Sequence, residues 1–380
     1  MKKIIYADNA ATTKLDKQAY EAMQEFLLED FSNASQPYSF SRKAKAALKE
    51  ARETIANCIN AEPEEISFTS GGSESNNWVI KSYAIDNNGS DIITSNIEHH
   101  SVLNAIATIK KFNCNPILVP VDTNGIVSPD SFAKHITNKT SLISIMTANN
   151  EIGTIEPIEE LCNIAHEHNT VFHTDAVQAV GHVSIDVKRM NIDLLSSSAH
   201  KFNGPKGVGF LYHKRGVALS SLIDGGSQEN GMRAGTENIA SIVGMSVALK
   251  NNYKSLEKNQ RYLYELEQRV YKLLDSSGID YIRNGSENHL PGNISISIKG
   301  ANGEMLLHRL DLKGIYVSTG SACDSVNNQV SHVIKAIKTP SDYAEGTIRI
   351  SLGRNNRVED VEQIVYAIKQ IVSRGFYEGK

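Results

Sequence analysis

The sequence predicts an α/β protein: a mostly parallel sheet with helices on both faces, followed by a smaller α+β domain. Three observations predict it. Helix-like segments alternate with short β-branched runs through the first two-thirds of the chain, the pattern of strand–helix–strand units. A Gly-rich connector, Gly225-Gly226-Ser227-Gln228-Glu229-Asn230-Gly231, then ends that alternation. Finally, 380 residues exceed what a single hydrophobic core usually fills.

The elements follow in order. Tyr6-Ala7-Asp8-Asn9-Ala10-Ala11-Thr12-Thr13 reads as an extended, polar-tipped arm. Helical periodicity covers 16–29, 41–59 and 73–85, with further helices over 101–112 and 158–167. Between them lie strand-like runs at 66–69, 91–94, 117–119, 142–146, 171–174, 194–197 and 208–212. One long helical stretch from about 238 to 274, densely charged after Lys250, predicts a bridge between domains. Beyond it, strands at 293–298, 315–318 and 348–351 with helices at 303–310 and 358–373 predict the smaller domain. The expected division is an arm (1–15) packing on the small domain, a large domain (16–250) and a small C-terminal domain (251–380).

Composition narrows the function classes. Hydrophobic content of 40% and charged content of 22% are those of an ordinary soluble globular protein. A net charge of −4, from 39 basic and 43 acidic residues, argues against direct nucleic-acid binding. No apolar run reaches the roughly 18 residues that span a bilayer, and the N-terminus lacks a signal-peptide core. A cytoplasmic protein is expected. Four cysteines in so long a chain are not a disulfide framework. Cys58, Cys114 and Cys162 sit at packing positions. His166-x-His168 is a weak zinc signal with no ligand triad around it, and no metal is expected.

The residues that can carry chemistry cluster after strands, where open α/β sheets bind ligands. Ser197-Ser198-Ala199-His200-Lys201-Phe202 follows an apolar run and precedes Asn203-Gly204-Pro205-Lys206-Gly207. Lys201 is either a solvent-facing lysine at a strand end or a desolvated amine able to form a Schiff base. Asp175 ends the 171–174 run, with Gln178 three residues on; it is either a helix cap or a buried carboxylate that needs a positive partner. Gly71-Gly72-Ser73-Glu74-Ser75 follows a strand and opens a helix. That is either an ordinary capped helix or an anion site suited to phosphate.

His99-His100 and Asn149-Asn150-Glu151 follow strands in the same way. Cys323 lies among small residues in Thr319-Gly320-Ser321-Ala322-Cys323-Asp324-Ser325, which predicts an exposed, mobile loop. Its thiol is either an ordinary exposed cysteine or a nucleophile. Arg349, inside an apolar run, needs a carboxylate or phosphate partner, from a structural salt bridge or from a ligand.

A Schiff-base lysine, an acid for a pyridinium nitrogen and a phosphate cup together point to pyridoxal 5′-phosphate. With these motifs assembled, the chain resembles the NifS/IscS-like cysteine desulfurases of the class-V aminotransferase group. The likeness runs over essentially the whole length. It rests on the arm motif, Gly71-Gly72-Ser73, Glu98-His99, Asn149-Asn150-Glu151-Ile152-Gly153, Asp175-Ala176-Val177-Gln178, Ser198-Ala199-His200-Lys201, Gly231-Met232-Arg233-Ala234-Gly235-Thr236, Ser321-Ala322-Cys323 and Arg349-Ile350-Ser351-Leu352-Gly353. The departures are small: Ser73 stands where many members have Thr, and Ala34 where Pro is common.

The resemblance implies fold type I of the pyridoxal-phosphate transferases, with a seven-stranded large-domain sheet sandwiched by helices. It implies that Lys201 holds the cofactor and moves protons, that Asp175 pairs with the ring nitrogen and Gln178 with the ring hydroxyl, and that His99 stacks on the ring and serves as acid or base. Gly72, Ser73, Ser198 and His200 would hold the phosphate, with Thr236 doing so across the interface of a homodimer with shared sites. Asn150 and Arg349 would bind substrate, Asn150 also lying at the cofactor. L-Cysteine would become L-alanine, its sulfur left as a persulfide on Cys323. The persulfide would pass to an acceptor protein such as an iron–sulfur scaffold or a tRNA-thiolation enzyme. The alternative is a selenocysteine lyase or another fold-type I lyase or aminotransferase.

Overall fold

The computed structural model describes residues 4–320 and 330–373. Twelve strands occur among them: β1 (Ile5–Tyr6), β2 (Ile66–Thr69), β3 (Asp91–Ser95), β4 (Asn115–Val119), β5 (Thr140–Ser144), β6 (Val171–Asp175), β7 (Leu194–Ser198), β8 (Gly209–His213), β9 (Tyr281–Arg283), β10 (Asn293–Ile298), β11 (Ile315–Tyr316) and β12 (Thr347–Ser351). The seven runs expected in the large domain form one sheet in the order β2-β8-β7-β6-β5-β3-β4. All neighbours are parallel except β8, which is antiparallel to both β2 and β7.

Strand pleating explains the two apolar layers over this sheet. Ile93, Ile143, Leu195 and Phe210 point into one core. Their immediate neighbours Ile92, Leu142, Leu194 and Leu211 point into the other. Helices Arg42–Ile59, Ile158–Glu167 and Ile239–Lys254 cover the first face, while Gly72–Asp86 and His100–Thr108 cover the second. Because both faces are covered, the strands read as continuous apolar or small runs rather than alternating ones.

A second, separate core brings β10, β12 and the helices Leu256–Asp275, Gly303–Asp311 and Val358–Ser373 together around Ile294, Ile296, Ile348 and Ile364. Ile5 and Ala7 of the arm belong to this core, and β1 pairs in parallel with β11. The arm then runs to the seven-stranded sheet, where Thr13 N–H donates to His200 O at 2.9 Å.

One expectation is corrected. The stretch from 238 to 274 is two helices, Ile239–Lys254 and Leu256–Asp275, broken at Ser255. Met245, Ala248 and Leu249 pack on the large core, whereas Leu263, Leu266 and Val270 pack on the small one. A straight helix cannot turn one apolar stripe toward two cores, so the chain bends where they meet. Among the described residues, no helix is long and apolar enough to cross a membrane.

Candidate active site

The C-terminal ends of β3, β5, β6 and β7 open onto a cavity of about 550 Å³ between the two cores. Gly72, Ser73, His99, Asn150, Asp175, Gln178, Ser198, His200, Lys201 and Arg349 all line it. These side chains come from segments up to 277 residues apart (Gly72 to Arg349), gathered because parallel strands bring their exits to one edge.

Lys201 ends the short turn Ala199–Lys201 that directly follows β7. Its ammonium donates to Ala10 O at 2.6 Å and Ala11 O at 2.9 Å, both in the arm. His182 Nε2 donates to Lys201 O at 2.8 Å and steadies the turn from beneath. Asp175, at the last position of β6, is buried. Its Oδ2 accepts from Asn76 Nδ2 at 2.7 Å and its Oδ1 from Val177 N–H at 3.0 Å. Gln178 Nε2 donates to Ala10 O at 2.9 Å, tying the same arm carbonyl to this wall.

His99 caps the His100–Thr108 helix: Ser101 N–H donates to its Nδ1 at 3.1 Å. The ring proton of the neutral form therefore sits on Nε2. Burial lowers this imidazole, Asp175 opposing and Lys201 adding to the effect, so it is uncharged at neutral pH. Burial, then Lys201 and Lys206, push His200 down to about 4.

The Gly72–Asp86 helix begins at the cavity wall. Its first amides have no preceding turn to bond. Gly71 has φ +144°, a conformation L side chains rarely adopt, and a Cβ on Gly72 would sit 2.5 Å from Val177 Cγ2. Glu74 beside them is neutralised by a fork from Arg233, Nε at 2.8 Å and Nη2 at 3.1 Å. Burial raises its carboxyl, but the bonds from Arg233 and Ser70 outweigh that and lower it.

Arg349, in β12, reaches the cavity from the small core with a side chain only 3% exposed. Nη2 donates to Asp8 Oδ1 at 2.6 Å and Nη1 to Asn150 O at 2.8 Å. Nε is buried and has no hydrogen-bond partner among the described residues.

Two expected residues stand apart. Thr236 is exposed and does not line this cavity. Cys323 lies outside the described residues. The other three thiols are packing groups: Cys114 and Cys162 are buried, and burial pushes Cys58 up to about 11. Asn76, Ser101 and the arm carbonyls were not anticipated. Asn76 had a legible signal, since it lies one helical turn beyond Gly72 and Ser73 and so shares their face.

The comparisons with known proteins decide the family. Residues 5–364 match Aminotransferase class-V. The chain belongs to the class-V aminotransferase family. This family member is 47% identical over 377 residues to "Cysteine desulfurase IscS" of Dictyoglomus turgidum, covering 98% of this chain and 96% of that one. It is 45% identical to the protein of the same name in Methanosarcina thermophila, covering 98% and 93%. Among solved structures it is similar to a "NIFS-like protein", with TM-score 0.92, 35% identity, and 98% and 100% of the two chains covered. It is also similar to "SspA in complex with cysteine", with TM-score 0.82, 36% identity, and 92% and 99% covered. Class-V aminotransferases use pyridoxal 5′-phosphate, and the fold is fold type I.

The cavity fits that cofactor on its own terms. It offers an amine, a buried carboxylate held by Asn76, and a helix start with unbonded amides and no Cβ in the way. Those are partners for an aldehyde, a pyridinium nitrogen and a phosphate.

Proposed function

We infer that the chain is a pyridoxal-phosphate-dependent cysteine desulfurase that converts L-cysteine to L-alanine. One observation carries this beyond the family: in a chain 47% identical to a named cysteine desulfurase, Lys201, Asp175 and the Gly72-Ser73 helix start face one cavity with Arg349 at its rim.

Lys201 would hold the cofactor, with Asp175 at its ring nitrogen, Gln178 at its ring hydroxyl, His99 against its ring, and Gly72, Ser73, Ser198 and His200 at its phosphate. When bound, the cofactor supplies an electron sink for carbanion chemistry at the amino acid. The remaining work falls to the chain. The Asp175 carboxyl, held by Asn76 Nδ2, would pair with the protonated ring nitrogen. Lys201 Nζ would also move protons to and from the substrate. Its contacts to the Ala10 and Ala11 carbonyls support a fixed position for that transfer. Neutral His99 holds one proton on Nε2, available as general acid. Arg349 and Asn150 would bind the substrate; the unpartnered Nε of Arg349 supports a role in gripping the carboxylate.

Cys323 would act as the sulfur acceptor. Its thiolate attacks the substrate sulfur; an S–S bond forms as the Cβ–S bond breaks, and that electron pair stays with the alanyl carbon, which takes up a proton. The persulfide then passes to an acceptor protein, an iron–sulfur scaffold or a tRNA-thiolation enzyme. A cytoplasmic homodimer with shared sites completes the proposal, with Thr236 reaching the partner's phosphate. Its support is the exposure of Thr236 and of the apolar side chains Leu27, Leu28, Phe31 and Phe40. The proposed division is arm 1–15, large domain 16–250 and small domain 251–380, supported by the two separate cores.

Cys323→Ala tests the function. The expected result is unchanged visible absorbance of the cofactor adduct with loss of sulfide release from L-cysteine. Sulfide release at the wild-type rate would remove the desulfurase.

A further inference from the structure

Four side chains on the cavity wall form one hydrogen-bonded chain: Asp175, Asn76, Ser101 and His99. They come from three places, the end of β6, the first turns of the Gly72–Asp86 helix and the start of the His100–Thr108 helix. Asn76 is fully buried at the centre of the chain. Its Nδ2 lies 2.7 Å from Asp175 Oδ2 and 2.8 Å from Ser101 Oγ. Ser101 Oγ in turn lies 2.8 Å from His99 Nδ1, and the Ser101 N–H donates to that same nitrogen at 3.1 Å.

Hydrogens give this chain a direction. An amide nitrogen donates and does not accept, so both contacts run outward from Asn76, one hydrogen to Asp175 and one to Ser101. The opposite amide orientation would set Oδ1 against a carboxyl oxygen; as oriented, Oδ1 is buried with no partner among the described residues. Ser101 Oγ accepts from Asn76 and keeps its own hydrogen for His99 Nδ1. That nitrogen therefore faces two donors, the hydroxyl and the backbone N–H of one residue. A hydrogen on Nδ1 would point at both, so the ring proton stays on Nε2. Burial opposes a second proton on this ring most. Of the charged and titratable groups around it, Asp175 favours protonation, while Lys201, His100 and His332 oppose it.

We propose that Asn76 and Ser101 are positioning residues that lock the tautomer of His99, making it a fixed Nε2–H donor toward the cavity and a poor proton acceptor. This rests on the proposed function in one respect, that the cofactor ring lies against His99. The physical content is geometric. To take a second proton, His99 must place it on Nδ1, which turns the Ser101 hydroxyl away and leaves the Ser101 N–H facing another N–H. No side-chain rotation removes that backbone donor. A donor kept in one protonation state also needs no reorganisation when charge develops beside it. Because the same Asn76 amide bonds Asp175, one buried side chain orients both the carboxyl at the ring nitrogen and the histidine against the ring.

The test is a pH titration of the cofactor-loaded protein carrying isotope-labelled histidine, read in long-range proton–nitrogen correlation spectra. The His99 signals are identified by their loss in His99→Gln. In the wild type they are expected to report a neutral ring protonated on Nε2, still neutral at about pH 6.5, where an ordinary imidazole is half protonated. Ser101→Ala removes the hydroxyl donor and keeps the backbone one. It is expected to raise the His99 titration by about half to one pH unit, the equivalent of one hydrogen bond. Ser101→Thr, which keeps a hydroxyl, is expected to restore it. Asn76→Ala leaves the Ser101 hydroxyl free to turn and is expected to shift the titration in the same direction by less. A wild-type ring protonated on Nδ1 overturns the proposal, and so does an unmoved titration in Ser101→Ala, even with a lowered melting temperature. Wild-type protein without visible absorbance of a lysine–cofactor adduct overturns the proposed function instead, and the His99 tautomer is still read from the same spectra.

Discussion

Arg349 Nη2 and Asp8 Oδ1 lie 2.6 Å apart, joining the last strand of the small sheet to the N-terminal arm. The pair stands at the cavity rim, and the arm continues from it to the Ala10 and Ala11 carbonyls that hold Lys201. One short extended segment therefore touches the amine, the guanidinium and both cores.

Asp8→Ala leaves that guanidinium buried with only the Asn150 carbonyl among the described residues. Removing one partner of a buried pair costs about 3 kcal/mol. Urea unfolding is expected to show a loss of this order, and a change below about 1 kcal/mol would contradict the burial argument.

Among the described residues, Lys201→Ala removes one of the two lysine amines that line the cavity, the other being that of Lys206. The purified variant is expected to lack the visible absorbance of a lysine–cofactor adduct and to release no sulfide from cysteine. Normal activity would show that Lys201 is an ordinary strand-end charge.

Gly72→Ala would place a Cβ 2.5 Å from Val177 Cγ2, a β-branched methyl with little room to rotate. The helix start must shift, and cofactor affinity is expected to fall about tenfold, equivalent to about 1.4 kcal/mol. Adding Val177→Ala removes the clashing methyl and is expected to restore most of that affinity in a cofactor titration. No rescue would argue against the steric cause.

Asn76→Ala deletes the 2.7 Å bond to Asp175 Oδ2. A hydrogen bond to a charged group contributes about 1.5–3 kcal/mol. With that bond lost, the carboxylate is no longer held toward the ring nitrogen, so cofactor affinity is expected to fall about tenfold in a cofactor titration. Unchanged cofactor affinity with lowered stability would mean that Asn76 is structural only.

Glu156 is buried, with Oε2 accepting from Val127 N–H and Oε1 unpartnered among the described residues. Burial pushes its carboxyl up to about 8 from an ordinary value of 4.5. Between those values the folded chain holds a proton that the unfolded chain has lost, so stability falls as pH rises, by at most about 1.4 kcal/mol per pH unit. Glu156→Gln cannot ionise. Its melting temperature relative to wild type is expected to rise steadily from pH 5 to pH 8, and a constant difference would refute the assignment.

Much of this was legible in the chain. The seven large-domain strands were readable because each is a short apolar or β-branched run punctuated by turn residues, as Ile66–Thr69 and Val171–Asp175 illustrate. Lys201, Asp175, Gly72 and Ser73 were readable because strand ends in such a sheet face the ligand. Ser255 was not, since its helical periodicity continues across it and only the angle between two cores bends the chain there. The arm's role was also hidden: Ala10 and Ala11 act through backbone carbonyls, which no residue type announces.

The sequence by itself determined which chemical groups are present and which strands and helices carry them, because hydrophobic period and turn residues are local properties. Only the tertiary structure decided which groups meet. Asp8 finds Arg349, and Asn76 finds both Asp175 and Ser101. Those meetings depend on how two cores and an arm pack together. Burial and proximity, which set charge and position there, are properties of the packed chain and not of any one stretch of it.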